Sequence, residues 1–229
     1  MQIFKTITYK TLIVFLLIVA LICFLGGYFV KKTSLESKKF TVVIDAGHGG
    51  IDAGALGVTT SVRESDLNLL IAKNLKELFE KSGFIAIMTR EGDNGLYGTT
   101  DPGFKKRDLK EREKIINNSL ADLCVSIHLN VYSSQSRRGA QVFFNKDYLE
   151  GKKLAKLVQG RINGLNLSPR LYDALHGDYY LLNTSKIPTI IVECGFLSSP
   201  EDEKLLLTDK YRHDISNAIF MGCVDYLSV

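Results

Sequence analysis

The sequence predicts an α/β domain in which a mostly parallel sheet carries helices on its faces. Three observations lead there. Apolar, β-branched runs recur at 42–44, 124–127 and 189–192, and each ends in a polar or acidic side chain. Such near-continuous runs suit strands buried on both faces. Segments with apolar residues at helical spacing lie between the runs, so strand and helix alternate. The pattern starts only at Phe40, because residues 1–39 differ in composition from the rest of the 229-residue chain. What remains is long enough for one well-buried domain.

The elements follow in order. Phe40–Asp45 is a short apolar run that stops at Gly47-His48-Gly49-Gly50, a strand entering a loop. Residues 64–82 place Leu67, Leu70, Ile71, Leu75, Leu78 and Phe79 on one helical stripe, with Gly83 as the C-terminal cap. Phe84–Thr89 reads as a strand, and the Gly-, Thr- and Asp-rich 91–106 as a long loop. A charged helix is predicted over 107–120, then strands over Ala121–His128 and Gly139–Asn145, and a helix over 148–163. Tyr179–Leu182 reads as a short strand. Pro188–Glu193 is strongly β, with its Pro at the tolerated first position. Helices over 200–207 and 209–227 complete the chain, which has no internal repeat.

The N-terminal region reads differently. Leu12–Val30 contains no charged residue and spans roughly 28 Å as a helix, close to the thickness of a bilayer core. Residues 1–30 are therefore expected to be a signal or membrane anchor. Retention is favoured, since no small-x-small cleavage site precedes Lys31. Residues 31–39 form a polar tether and 40–229 the globular domain. Lysine counting alone would keep that domain on the cytoplasmic side, because the tether holds four Lys.

Residues 1–39 carry six Lys and one Glu, which leaves −1 for the rest of the formal +4. A near-neutral domain offers no electrostatic footprint for nucleic acid. Cys23, Cys124, Cys194 and Cys223 form no C-x-x-C pair, which removes a cysteine zinc knuckle. Cys124 and Cys194 read as small buried hydrophobes.

Side chains at strand ends of such a sheet converge on one rim. Two His and two Glu there are the parts of a hydrolytic zinc centre, which takes three ligands and a separate carboxylate for proton transfer. His48, Glu64 and His128 are candidate ligands and Glu193 a candidate base. Their separations of 16, 64 and 65 residues mean that distinct elements supply them. Each also has an ordinary reading. A strand-end His can be a satisfied core residue, Glu64 can answer a helix dipole, and the glycines can simply form a tight turn. Glu193 follows four apolar β residues and is harder to place, since a carboxylate there is buried unless paired or functional.

Five linked motifs resemble one family. Val43-Ile44-Asp45-Ala46-Gly47-His48-Gly49-Gly50, with Glu64 heading the next helix, is similar to the opening of the zinc-dependent N-acetylmuramoyl-L-alanine amidases of type 3. The likeness continues through Thr89-Arg90-Glu91-Gly92-Asp93, Leu109-Lys110-Glu111-Arg112 and Ala121 to Asn130, and closes with Pro188 to Ser198. It covers roughly residues 40–227. The resemblance implies that His48, Glu64 and His128 bind Zn²⁺ and that Glu193 is the catalytic carboxylate. It implies a twisted, mostly parallel six-stranded sheet flanked by helices, and hydrolysis of the amide between N-acetylmuramic acid and L-alanine. It also places Arg170 and His176 in the substrate-facing loop, and Asn130, directly after His128, is a further candidate for a hydrogen bond behind the metal ligand or a substrate contact. Asn130 equally suits a turn, Arg170 could pair with a peptide carboxylate but reads first as a solvated surface residue, and His213 reads as a surface residue.

The chain departs from the family pattern in two places. Residues 94–106 look long, and Tyr97 and Phe104 there could meet glycan or a partner protein. Val131–Arg138 is too short for the autoinhibitory helix some relatives carry. An anchor plus a bare catalytic domain is similar to the spore-cortex amidases of endospore-forming bacteria, whose action leads to muramic δ-lactam. That implies an extracytoplasmic domain facing the forespore or cortex space, acting on glycan strand and stem peptide. With no recognition module in the sequence, an activating or positioning protein partner is expected. Two other readings stay open here: a zinc exopeptidase or carboxypeptidase, for which Asp45 or Asp52 could bridge a second metal, and a non-catalytic wall-binding protein.

Overall fold

The computed structural model describes residues 9–33, 39–166, 168 and 171–228. The chain divides between Lys39 and Phe40 into two units. In the first, α1 spans Tyr9–Thr33, and its large apolar side chains from Leu12 to Phe24 are exposed. Among the described residues no helix is long and apolar enough to cross a membrane. Residues 34–38 of the expected tether lie outside the described residues.

The second unit runs β1 (Thr41–Ala46), α2 (Glu64–Lys81), β2 (Ile85–Met88), α3 (Phe104–Asn118), β3 (Leu123–Asn130), β4 (Gln141–Phe144), α4 (Leu149–Asn163), β5 (Leu175–His176), α5 (Tyr180–Thr184), β6 (Thr189–Phe196), α6 (Pro200–Leu206) and α7 (Asp209–Leu227). The six strands form one sheet in the order β2-β1-β3-β6-β4-β5. Only the β4–β6 pair is antiparallel. The expected mostly parallel, six-stranded α/β sheet is therefore present.

One strand is not where the pattern predicts it. Tyr180–Leu182 belongs to helix α5, with Tyr179 as its extended N-cap, and the sixth strand is instead the two-residue β5 just before it. A four-residue apolar run does not distinguish strand from buried helix by period alone. Here tertiary contacts decide. Leu181 and Leu182 are buried, and Asn117 of α3 brackets the turn by donating to Thr184 O (3.0 Å) and accepting from Lys186 N–H (2.8 Å). Helix α3 also begins three residues early, after Gly103 at φ 85°.

Strand alternation splits the core unequally. Val42, Ile44, Leu123, Val125, Ile127, Ile190 and Val192 face a large cluster completed by α2, α4 and α7. Val43 and Cys124 face the other way, onto a small cluster with Ile116 of α3 and Leu181 of α5. By the same period of two, Asp45, Ser126, His128 and Glu193 share that thinly covered face. Hydrophobic burial therefore lies mostly on one side of the sheet, and polar side chains gather on the other. Cys124, Cys194 and Cys223 are buried and free, and their thiols are raised by burial.

Candidate metal centre

Three parallel strands and one helix start bring the predicted residues together. Asp45 lies opposite Ser126 across β1–β3, and His128 opposite Glu193 across β3–β6. His48 sits two residues past β1 in left-handed backbone (φ 61°), an uncommon conformation that a non-glycine residue holds only where the surroundings enforce it. Gly47 makes this possible. A Cβ there would lie 2.3 Å from Cε1 of the His128 ring, so no larger residue fits between the two imidazoles' supports.

Glu64, the first residue of α2, is the hub. Its Oε1 lies 3.2 Å from His48 Nε2 and 3.1 Å from His128 Nδ1. The same oxygen accepts from Leu129 N–H (3.1 Å), and Oε2 accepts from Ala55 N–H (2.8 Å). The two rings stand 5.0 Å apart, nearly perpendicular. Burial pushes the Glu64 carboxyl up, but the two imidazoles outweigh it and hold it well below the usual carboxylate range. Burial likewise lowers His48, and Glu64 and Asp52 reverse that, raising it above 6.5. One ligand atom from each of His48, Glu64 and His128 falls within 4.8 Å of the others. Two imidazole nitrogens and one carboxylate converging at this spacing are a donor set suited to Zn²⁺. Asp52 Oδ2 accepts from His48 Nδ1 at 2.9 Å, which leaves Nε2 facing the cluster.

Glu193 completes the group. It is 7% exposed, and its Oε2 is buried with no hydrogen-bond partner. Burial raises its pKa to about 7, and the nearby Glu64 charge adds to the effect while His128 and His48 oppose it. An orphaned carboxylate oxygen beside three convergent ligands fits a centre that holds a cation and moves protons.

Beneath the cluster lies a support to which sequence reasoning assigned no role, although Arg112 closes one of the motifs quoted above. Arg112 of α3, 1% exposed, donates to Asp45 Oδ1 (2.7 Å), Asp108 Oδ2 (2.5 Å), Ala46 O (2.6 Å) and His48 O (2.6 Å). Asp45 also accepts from Ser126 (2.5 Å) and Thr89 (2.7 Å). Burial would raise Asp45, but Arg112 first and then the two hydroxyls hold it at about 2. Arg90 donates to the carbonyls of Ala46, Gly47 and Ser65 and so ties the loop to α2. The Asp108/Arg112 spacing of four was visible in the sequence, but α3 carries many charges and nothing marked this pair as buried.

The remaining candidates are placed elsewhere. Asn130 Oδ1 accepts from Val131 N–H (2.8 Å), the turn role. His176 is exposed on β5, two strands beyond β6, and His213 is exposed on α7. Arg170 lies outside the described residues. Tyr97 and Phe104 pack edge to face at 5.4 Å, and the Tyr97 hydroxyl accepts from Ile51 N–H (2.8 Å), so both brace the loop after β1. Neither acidic residue offered for a second metal is free. Asp45 is bound by Arg112, and Asp52 is held by His48 and by Lys105 at 3.0 Å.

Comparison with known proteins agrees with this geometry. The family model described as N-acetylmuramoyl-L-alanine amidase matches residues 42–224. The germination-specific N-acetylmuramoyl-L-alanine amidase of Bacillus subtilis is 36% identical over 202 residues, covering 86% of this chain and 84% of that protein. The structure of the CwlD amidase from Clostridioides difficile in complex with the GerS lipoprotein superposes with a TM-score of 0.78 at 40% identity, over 83% of this chain and 99% of that one. An N-acetylmuramoyl-L-alanine amidase from Clostridium difficile 630 gives 0.74 at 33% identity, over 84% and 98%. His48, Glu64, His128 and Glu193 all fall inside the matched span, and the chain belongs to the N-acetylmuramoyl-L-alanine amidase family.

Proposed function

We propose that this chain hydrolyses the amide between the lactyl group of N-acetylmuramic acid and the first L-alanine of peptidoglycan stem peptides, and that it works in the spore cortex on the way to muramic δ-lactam. The observation that supports the chemistry best is the buried, unpartnered Glu193 carboxylate beside His48, Glu64 and His128. Those three residues would hold Zn²⁺. When bound, the ion polarises the scissile carbonyl and makes water acidic enough to attack near neutral pH. Glu193 takes the proton of the attacking water as the new C–O bond forms, then delivers it to the alanine nitrogen as the C–N bond breaks. In the metal-free chain burial raises its carboxyl, so the position favours a group that can hold a proton. Asp52 orients His48, and Glu64, fixed by two backbone N–H groups, keeps the ligand geometry from relaxing.

The cortex setting is supported by likeness to the germination-specific amidase. A protein partner is part of the reading, supported by the solved CwlD amidase, which is complexed with a lipoprotein. We assign residues 1–30 as a signal or membrane anchor and 31–39 as its tether, with 40–229 acting outside the cytoplasm, on the strength of the uncharged stretch Leu12–Val30. Fractionation checks the anchor: the full chain is expected with membranes, and a chain lacking residues 1–39 in the soluble extract.

Product analysis tests the chemistry. The full chain, loaded with zinc and given intact peptidoglycan sacculi, is expected to release whole stem peptides with a free N-terminal L-alanine, read by mass spectrometry. A chelator should stop the release and added zinc restore it. Release of single amino acids would instead support the peptidase reading.

A further inference from the structure

We infer that Arg137 recognises a free carboxylate of the stem peptide and makes the enzyme prefer substrates that keep it. This rests on the amidase reading and extends it to specificity. The loop Val131–Arg138 leaves the end of β3 and lines a groove of about 350 Å³ with Tyr132, Ser134, Ser136, Arg137, Arg138 and Tyr172. Two arginines and several hydroxyls give it the character of an anion site.

The two arginines differ. Arg138 is answered by Asp202, whose Oδ1 lies 3.3 Å from its Nε. That carboxylate is itself fixed by Gly139 N–H (2.8 Å) and Phe196 N–H (3.0 Å). Arg137 has no such acceptor. Its Nε is buried without a hydrogen-bond partner, and no acidic side chain among the described residues pairs with it. What holds it is aromatic: the guanidinium carbon lies 4.5 Å from the Tyr132 ring centre and 5.3 Å from that of Phe196. Ring faces attract the cation and orient its plane but accept no conventional hydrogen bond, so the two terminal Nη groups stay available for a planar, bidentate anion.

The placement fits a stem peptide. Phe196 is three residues beyond Glu193 on β6 and pairs with Asn130, two residues beyond His128. The pairing is bulged between these two pairs, so the interval is two residues on β3, and at about 3.3 Å per residue Phe196 lies roughly 7 Å along the strand from the Glu193–His128 pair. A carboxylate carried two residues from the scissile amide lies roughly 7–10 Å from it in an extended peptide. A substrate whose amide meets Glu193 can therefore set a carboxylate against Arg137.

The test compares two soluble muramyl peptides, one with free peptide carboxylates and one with those groups amidated. The zinc-loaded full chain is expected to favour the free acid by about 10- to 100-fold in kcat/KM, the span of a charge-assisted bidentate contact. Arg137→Gln keeps part of the aliphatic stem but loses the guanidinium, and should shrink that preference to within about threefold, chiefly through KM. Arg137→Lys, which keeps the charge but loses the fork, should fall between. No preference in the parent chain, or an undiminished one in Arg137→Gln, would overturn the inference. A second readout needs no turnover: calorimetric titration of the Glu193→Gln chain with the released peptide, as acid and as amide, should show the same preference and its loss with Arg137→Gln. A chain that binds the acid preferentially yet releases no stem peptide would sink the amidase reading alone. Equal binding of acid and amide would sink the Arg137 inference alone.

Discussion

Glu193→Gln is expected to lower kcat by about 10²- to 10⁴-fold while zinc content stays at one per chain, because it deletes the proton carrier and leaves His48, Glu64 and His128 in place. Turnover on muramyl peptides and elemental analysis of the same sample check this. Unchanged turnover would remove Glu193 from the chemistry and favour the non-catalytic wall-binding reading. The same substitution carries a stability signature in the metal-free chain. A glutamate with an ordinary pKa of 4.5 is pushed up to about 7 here, so the folded state favours the proton. Stability from this group is complete below pH 4.5 and is lost as pH rises through 7, where the buried charge must form. The gap corresponds to about 3 kcal/mol at about 1.4 kcal/mol per pH unit. Metal-free Glu193→Gln should therefore match the parent near pH 4 and exceed it by up to about 3 kcal/mol at pH 8, measured by urea unfolding. A difference that does not change with pH would show that the burial of Glu193 is not what sets its ionisation.

Arg112→Ala should destabilise the domain by about 3–5 kcal/mol, a large share of the roughly 5–15 kcal/mol typical of a folded domain. Removing the guanidinium leaves Asp45 and Asp108 without their buried counter-charge and frees the carbonyls of Ala46 and His48. Urea or thermal unfolding reads the loss. Arg112→Lys should recover little of it, since one ammonium on a flexible stem does not reach four acceptors held by a planar fork. The loss should be largest near neutral pH. It should shrink as pH falls, because without Arg112 burial raises the Asp45 carboxyl and it takes up its proton at a higher pH than in the parent, so the unpaired charge disappears. A loss below about 1 kcal/mol would mean that water replaces the arginine at little cost.

Much of this molecule is legible in its residues. Val42–Ile44, Cys124–Ile127 and Ile190–Val192 announce buried strands, and the stripe from Leu67 to Phe79 announces α2, because burial on one face repeats with the period of the backbone. His128 and Glu193 were visible for the same reason, since a His or Glu ending an apolar strand run is out of place in a core, whereas His48 in its glycine turn and Glu64 at a helix start took their roles from the motifs around them. Tyr179–Leu182 was not legible. Its four residues carry no period, and packing beside α3 set Tyr180–Leu182 in a helix. Arg112 was not legible either, since a charged helix shows no sign in its own sequence of which arginine it turns inward.

What the sequence by itself determined is local and periodic: the alternation of strands and helices, the glycine turn around His48, and the short list of side chains able to bind a metal or move a proton. Only the tertiary structure decided how those side chains meet. Glu64 could have been an ordinary residue at a helix start, and it is the parallel pairing of β1 with β3 that brings the two imidazoles to its carboxylate, while the pairing of β3 with β6 sets Glu193 beside His128. Asp45, which in isolation could have bridged a second metal, is instead neutralised from below by a side chain 67 positions away. The physical reason is range. Propensity and hydrophobic period act over a few residues, whereas hydrogen bonds and charge pairs act between whichever groups the fold has brought within about 3 Å, and those groups come from anywhere in the chain.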